Sequence, residues 1–405
     1  MNKIINIFIY TVMIILSFSA TAEEKQDQYL LSSESYKILT DVRELMDKKE
    51  YTTAESKLNN LLDRDIDNYE RAVTYQTLGY IYISMDRYED ATSVFIKSIS
   101  NNALPPDVTH EINYTIAQLL AQAGKYKDSL EYLNHWLEIE KSPDIDAHIF
   151  VASVYYQLQD YQKMIPHMQS AINNSTKPKK EWYEMLLYGY YKTNELKNAA
   201  SLLEDMVKLY PDSNNYWLQL AATYYQIKKY NEALAVYKIA YTKNILSEDE
   251  ILRLARLYLN AQLPYQAGKL LDETMSKAKI SKSSENLKLL ANSWSLARDY
   301  NRTVSTLLEL AKLDDDPDTY FRLGQIYFRQ EKWQDTVTML KRAVKADELD
   351  NKAEAFLLLG IAAYHVDEKK QSEEALKRAT GYKNTKEQAE WWLNKLGEKL
   401  EEKNS

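Results

Sequence analysis

Apolar and polar positions along this chain repeat with a period close to 34 residues. In "TLGYIYISMDRYEDATSVF" a small residue, Gly79, is followed three positions on by Tyr82, six further by Tyr88, and then by Ala91 and Phe95. The register returns as Ala221, Tyr224, Tyr230, Ala233 and Tyr237, and again as Gly324, Tyr327, Trp333, Thr336 and Leu340. Apolar spacings of three and four put these side chains on one helical face, and such a period marks a stacked array. The pattern predicts ten units at about 35–68, 72–105, 110–143, 145–178, 180–213, 214–247, 248–281, 284–316, 317–350 and 353–386. Small residues (Gly79, Ala117, Ala152, Ala221, Ala255, Ala291, Gly324 and Gly360) recur where one helix must approach its partner closely. The chain then ends on "KEQAEWWLNKLGEKLEE", in which Trp392, Leu393, Leu396 and Leu400 share a stripe that would seal the last apolar face. Pro211-Asp212-Ser213 stops one helix and caps the next. Pro166 falls inside a helical stretch, where the lost backbone donor predicts a kink or a shifted start.

Three of the units carry a tyrosine doublet: Tyr155-Tyr156, Tyr190-Tyr191 and Tyr224-Tyr225. Neighbours on a helix point about 100° apart, so the two members of a doublet cannot share an environment.

The helix–turn–helix unit with these small and aromatic positions resembles the tetratricopeptide repeat. The resemblance covers nearly all of the chain after its leader. It implies an all-α fold, an α-solenoid of about ten hairpins wound into a right-handed superhelix with a concave inner face. It also implies that the first helix of each unit carries the ligand contacts on its concave side, with the first tyrosine of each doublet turned into the core and the second lining the groove. On that reading the partner groove comprises Tyr114, Gln118, Tyr156, Gln157, Tyr188, Tyr191, Tyr225, Gln226, Arg256, Asn260, Phe321, Gln325, Phe328 and Tyr364. Tyrosine with Gln and Asn supplies rigid amphipathic area and adaptable hydrogen bonds, which suits a peptide or protein partner. Some members of the family clamp a C-terminal carboxylate. Lys288 and Asn292 match the first helix of that clamp, but Arg322, Glu354 and Leu358 stand where the rest is needed, so the clamp is incomplete.

Composition narrows the picture. Of 405 residues 45% are hydrophobic and only 8 are Gly and 8 Pro, which disfavours a turn-rich β fold. The opening "MNKIINIFIYTVMIILSFSATAEEK" has a basic start, an apolar run from Ile4 to Phe18 and a small-x-small site at Ala20-Thr21-Ala22. It predicts a cleaved signal peptide over 1–22, followed by a short linker over 23–34, the array over 35–386 and the terminal helix and tail over 387–405. A membrane span needs about 20 apolar residues, and this run is shorter and broken by Asn6, Tyr10 and Thr11. The chain has no cysteine, which rules out disulfides and thiolate chemistry and argues against a lipidated leader. The periplasm is the expected compartment. The net charge is −8, and loss of Lys3 with the leader makes it one unit more negative, which disfavours nucleic acid or an anionic membrane as the main partner.

Catalytic chemistry is not legible. The five histidines (His110, His135, His148, His167 and His365) show no metal-ligand spacing, and no nucleophile elbow or phosphate-cradling loop occurs. The acidic run "LDDDPDT" falls at a repeat junction without the Gly and Glu spacing of a calcium loop, and Asp316 there reads as a helix cap. The expectation is a non-enzymatic protein with no cofactor and no metal.

The stretches "NYWLQLAATYYQIKKYNEALAVYKIAY", "LRLARLYLNAQLPYQAGKLL" and "LLLGIAAYHVDEKKQSEEALKRA", with "AEWWLNKL" after them, look like the periplasmic tetratricopeptide proteins associated with bacterial TonB–ExbB–ExbD systems. That resemblance implies an accessory scaffold docking the periplasmic part of a TonB–ExbB–ExbD complex and supporting outer-membrane uptake of iron chelates or haem. An array serving outer-membrane, peptidoglycan or pilus assembly is the alternative.

Overall fold

The computed structural model describes residues 29–346 and 349–402, with side chains through 398, so the leader over 1–22 and residues 23–28 of the linker lie outside the described residues. Among the described residues there are 21 helices and no strand. They run as ten hairpins: α1 (Ser33–Asp47) with α2 (Tyr51–Leu62), α3 (Asn68–Ser84) with α4 (Tyr88–Ile99), α5 (Pro106–Gln122) with α6 (Tyr126–Ile139), α7 (Ile145–Gln157) with α8 (Tyr161–Asn174), α9 (Lys180–Lys192) with α10 (Leu196–Leu209), α11 (Asn214–Gln226) with α12 (Tyr230–Thr242), α13 (Glu248–Asn260) with α14 (Pro264–Ser276), α15 (Ser284–Leu296) with α16 (Tyr300–Leu313), α17 (Pro317–Arg329) with α18 (Trp333–Ala343), and α19 (Lys352–His365) with α20 (Lys369–Thr380). A single helix, α21 (Lys386–Glu402), follows. The chain divides into two compact units at Leu202/Leu203, within α10.

The first unit, through Leu202, packs each helix from α1 to α8 on the one that follows it and α1 also on α3, the arrangement of a solenoid. One core there runs from Val42 in α1 through Leu58, Leu78, Ile81 and Phe95 to Ile112, Ile116 and Leu120 in α5. Gly79 is small for a stated reason: a Cβ there would sit 2.6 Å from the ring of Phe95 across the hairpin. Helix α3 starts on a capping box, with the Asp67 side chain accepting the Glu70 N–H and the Glu70 carboxylate accepting the Asp67 N–H. That carboxylate also accepts the Ser32 N–H at 2.8 Å, which ties the start of α1 to α3.

In the second unit, from Leu203, α17 packs on α19 and α19 on α21, besides each on its sequence neighbour. Gly324 faces Leu340 as Gly79 faces Phe95, with 2.6 Å from an ideal Cβ to Leu340 Cγ. Helix α21 covers Phe356, Leu357, Ile361 and Leu376 with Ala389, Trp392 and Leu393, and Leu396 on the same stripe is 2% exposed. Leu400 has no described side chain. Asp316 does cap α17, accepting the Asp318 N–H at 3.1 Å. Ser213 stands at the N-cap of α11 without a side-chain cap bond.

One backbone device recurs in every hairpin. The turn between the paired helices contains a residue at φ between 56° and 75°: Lys49, Asp86, Gly124, Gln159, Asn194, Lys228, Gln262, Arg298, Glu331 and Asp367. The residue after it donates its N–H to a carbonyl five positions back in the first helix, as in Lys229 to Tyr224 at 2.9 Å and Arg87 to Tyr82 at 2.8 Å. This is the left-handed C-cap that ends a helix and satisfies its last carbonyls. Nine of these ten positions carry a side chain despite the left-handed backbone. Pro166 neither ends nor delays its helix: α8 runs from Tyr161 through it to Asn174, and Pro166 is exposed. An exposed site leaves the carbonyl of Gln162, which has lost its donor, open to water.

Candidate partner-binding surface

The doublets separate by burial. Tyr155, Tyr190 and Tyr224 are 6%, 5% and 7% exposed, whereas Tyr156, Tyr191 and Tyr225 are half-buried. Two of the first members, Tyr190 and Tyr224, tie consecutive hairpins together through their hydroxyls. The Tyr224 hydroxyl donates to Glu204 at 2.5 Å, Gln169 Nε2 donates to the Tyr190 hydroxyl at 2.7 Å, and Tyr82, in the same register, donates to Glu55 at 3.0 Å. Burial pushes the Tyr224 phenol well above its usual range, with the bond to Glu204 adding to the rise. A cation five residues on lies over the ring of Tyr82 (Arg87, 4.2 Å), Tyr224 (Lys229, 5.6 Å) and Tyr327 (Lys332, 5.7 Å).

The second members have a partner that the groove reading did not anticipate. Tyr156 meets Tyr161 edge-on at 6.1 Å, Tyr225 meets Tyr230 at 5.6 Å, and Phe328 meets Trp333 at 5.3 Å. Each pair joins the last turn of the first helix to the first residue of the second. These rings are therefore clasps on the hairpin turn as well as surface.

In the first unit the expected residues gather in two places. Tyr156, Tyr161 and Tyr188 form a triangle of rings, with Tyr188 5.6 and 5.5 Å from the other two, and Lys192 Nζ lies 5.2 Å over Tyr188. Tyr188 is 39% exposed, and burial together with the neighbouring Tyr188 raises the Tyr161 phenol. Tyr114 lies apart from this triangle, tilted on Trp136 at 4.5 Å and edge-on to Phe150 at 5.5 Å. Burial raises the Tyr114 phenol strongly, and Gln118 hydrogen-bonds to it. Gln157 is exposed.

In the second unit, Arg253 lies 5.2 Å over the ring of Tyr225 and donates to the Tyr237 hydroxyl at 3.1 Å. Gln226, Arg256 and Asn260 are exposed, and Arg256 reaches Glu285 at 3.7 Å. Gln325 donates to Glu354 at 2.9 Å. Phe321 corrects the expectation: it is 4% exposed, packed with Tyr320, Leu340 and Leu359, and contributes to the core rather than to a surface. Its position on α17 faces the neighbouring α19 hairpin, where an apolar ring gains more from burial than from water. Lys288, the half-clamp residue, is held by Asp316 at 3.0 Å and Asp314 at 3.7 Å.

Phe328 and Tyr364 belong to an extended aromatic assembly. Trp333 stacks face to face on His365 at 4.2 Å, Tyr364 and His365 both meet Trp392 (5.3 and 5.8 Å), and Trp391 stands edge-on to Trp392 at 5.0 Å. Trp391 remains 54% exposed, with Lys395 Nζ 5.6 Å from its ring. Trp333, His365 and Trp391 were absent from the sequence-level site. The aromatic pair five residues apart, which spans three of the turns, was the signal available for Trp333.

The histidines also differ from their sequence reading. His148 on α7 and His167 on α8 are in direct contact, Nδ1 to Nδ1 at 3.1 Å, because the hairpin turn folds residues 19 apart against each other. Burial lowers both, His167 to about 4, with the neighbouring His148 adding to the shift.

Tetratricopeptide-repeat family models match residues 185–247 and 321–384, and a second such model matches 67–103. Among solved structures, a tetratricopeptide repeat protein from Parabacteroides merdae ATCC 43184 is 14% identical, with 65% of this chain and 99% of that one covered at a TM-score of 0.35. YrrB, described as a TPR protein with an unusual peptide-binding site, is 15% identical over 50% of this chain and 97% of its own, with a TM-score of 0.35. The TPR domain of P58(IPK) is 14% identical over 83% and 99%, with a TM-score of 0.26. With its ten helical hairpins and closely packed small residues, this chain is an all-α array of helical hairpins that carries tetratricopeptide repeats over residues 67–103, 185–247 and 321–384.

Proposed function

We propose that this protein is a non-enzymatic scaffold that holds a protein or peptide partner on its aromatic surfaces. The observation that carries this reading is the assembly of Phe328, Trp333, Tyr364, His365, Trp392 and Trp391, which ends in an indole that is 54% exposed. Burying a half-exposed Trp offers the partner a large rigid contact at small entropic cost, the usual character of an interface anchor. The Tyr156–Tyr161–Tyr188 triangle is a second such surface, within the first unit.

The finer reading is that the chain is exported to the periplasm and serves a TonB–ExbB–ExbD system in outer-membrane uptake of iron chelates or haem. The leader composition, the absence of cysteine and the family resemblance of the later repeats support it. The test is a photo-crosslinker placed at Trp391, and separately at Tyr191, followed by identification of the captured envelope proteins, together with growth of a deletion strain. Crosslinks to the energy-transducing complex and impaired growth on chelated iron or haem, with growth on free iron spared, are expected. Intact uptake with a defect in cell shape or permeability would replace this reading with envelope assembly. Trp391→Ala should leave the melting temperature within about 1 °C and weaken the captured partner by about 1–2 kcal/mol. An undiminished partner would remove the aromatic assembly from the interface.

A further inference from the structure

The His148–His167 contact lies outside the surfaces assigned to a partner and does not depend on them. We propose that these two side chains together chelate one divalent transition-metal ion, Cu(II) in preference to Ni(II) or Zn(II). Two imidazole nitrogens bound at about 2.0 Å to one ion, at an angle between 90° and 110°, lie about 2.8–3.3 Å apart. The Nδ1 atoms are already 3.1 Å apart, one from each helix of the α7–α8 hairpin. In the ion-free pair one Nδ1–H donates to the other ring's lone pair. Loading requires that this proton move to Nε2 of its own ring, a change of tautomer that leaves both rings neutral and releases no proton. The stack of Tyr155 on His167, 6.0 Å between centroids, helps fix the orientation of that ring. Burial keeps both imidazoles unprotonated at neutral pH, so a metal ion meets free lone pairs there.

The two rings are half-buried, and among the described residues there is no group of three His, Cys, Asp or Glu side chains that could hold a metal. Water must therefore complete the coordination. That makes the site one of exchangeable binding rather than a structural staple, and imidazole donors with an open coordination sphere place Cu(II) highest among the divalent ions.

The experiment is titration of the metal-free full chain with CuCl2 at pH 7.5, followed by calorimetry and electron paramagnetic resonance. One equivalent is expected, with nitrogen hyperfine structure from two imidazoles. His148→Ala and His167→Ala should each lower affinity about tenfold or more and remove one nitrogen, while His135→Ala, at an exposed position on α6, should change neither. If an alanine variant loses its helical circular dichroism, His148→Gln and His167→Gln replace it, since glutamine keeps a polar side chain without an imidazole ligand. A two-nitrogen signal that survives either substitution, or wild-type affinity equal to that of the double variant, overturns the assignment.

Discussion

Tyr224 and Tyr225 are adjacent and chemically identical, yet removing them should have different consequences. Tyr224 is buried, bonds to Glu204 of the preceding hairpin and supplies the carbonyl that closes its turn. Tyr224→Ala leaves a ring-sized cavity and an unpaired carboxylate, and should cost about 3 kcal/mol in chemical denaturation. Tyr225 keeps one edge on Tyr230 and a face under Arg253, so Tyr225→Ala should cost about 1 kcal/mol, the scale of one exposed aromatic pair. Equal losses would contradict the division of labour within the doublet. His167 gives the second residue-scale expectation. The unfolded chain takes up a proton near pH 6.5 that folded His167 refuses until about 4, so acidification through that window favours unfolding. In chelator-containing buffer, stability should hold above about pH 6.5 and fall by about 1–2 kcal/mol towards pH 4, after allowing for screening of a ring still in contact with water. His167→Gln should flatten the corresponding part of a melting-temperature profile, and an unchanged profile would count against the depressed value.

At the scale of the element, the hairpin is set by its turn. Ten turns adopt one left-handed C-cap, and only Gly124 among the ten residues lacks a Cβ. A side chain at positive φ costs roughly 1 kcal/mol, so Lys228→Gly or Gln159→Gly should stabilise by about 0.5–1 kcal/mol, while Gly124→Ala should destabilise by about 1 kcal/mol. Melting temperatures of these three single variants check the sign, and a fall in stability for Lys228→Gly would show that its side chain does more than tolerate the turn. The tight crossing between paired helices was visible in the sequence, since Gly79 and Phe95, like Gly324 and Leu340, stand sixteen residues apart in the repeating pattern. The clasp across the turn was not. Tyr156 and Tyr161 read as separate pattern positions until the helix reversal puts one ring against the edge of the other.

On the scale of the whole molecule, stability in an array is a sum of local terms and nearest-neighbour interfaces. Helix α21 supplies the last such interface in the second unit, covering Phe356, Leu357, Ile361 and Leu376. Deleting residues 386–405 should therefore expose that face, lower the midpoint of denaturation and raise hydrogen exchange in α19 and α20 before α13 and α14. Uniform loss of protection across the second unit would indicate more cooperative coupling than neighbour contacts provide.

The sequence by itself determined the helices, the ten-unit register, the terminal helix and the inward turn of one tyrosine in each doublet. All of these follow from a short-range period that a helix turns directly into a face. Only the tertiary structure decided which rings meet. Phe321 went into the core, Trp391 stayed in solvent, and His148 met His167, because contacts across a hairpin turn or between neighbouring hairpins depend on the turn geometry and crossing of two helices rather than on the periodicity of either one.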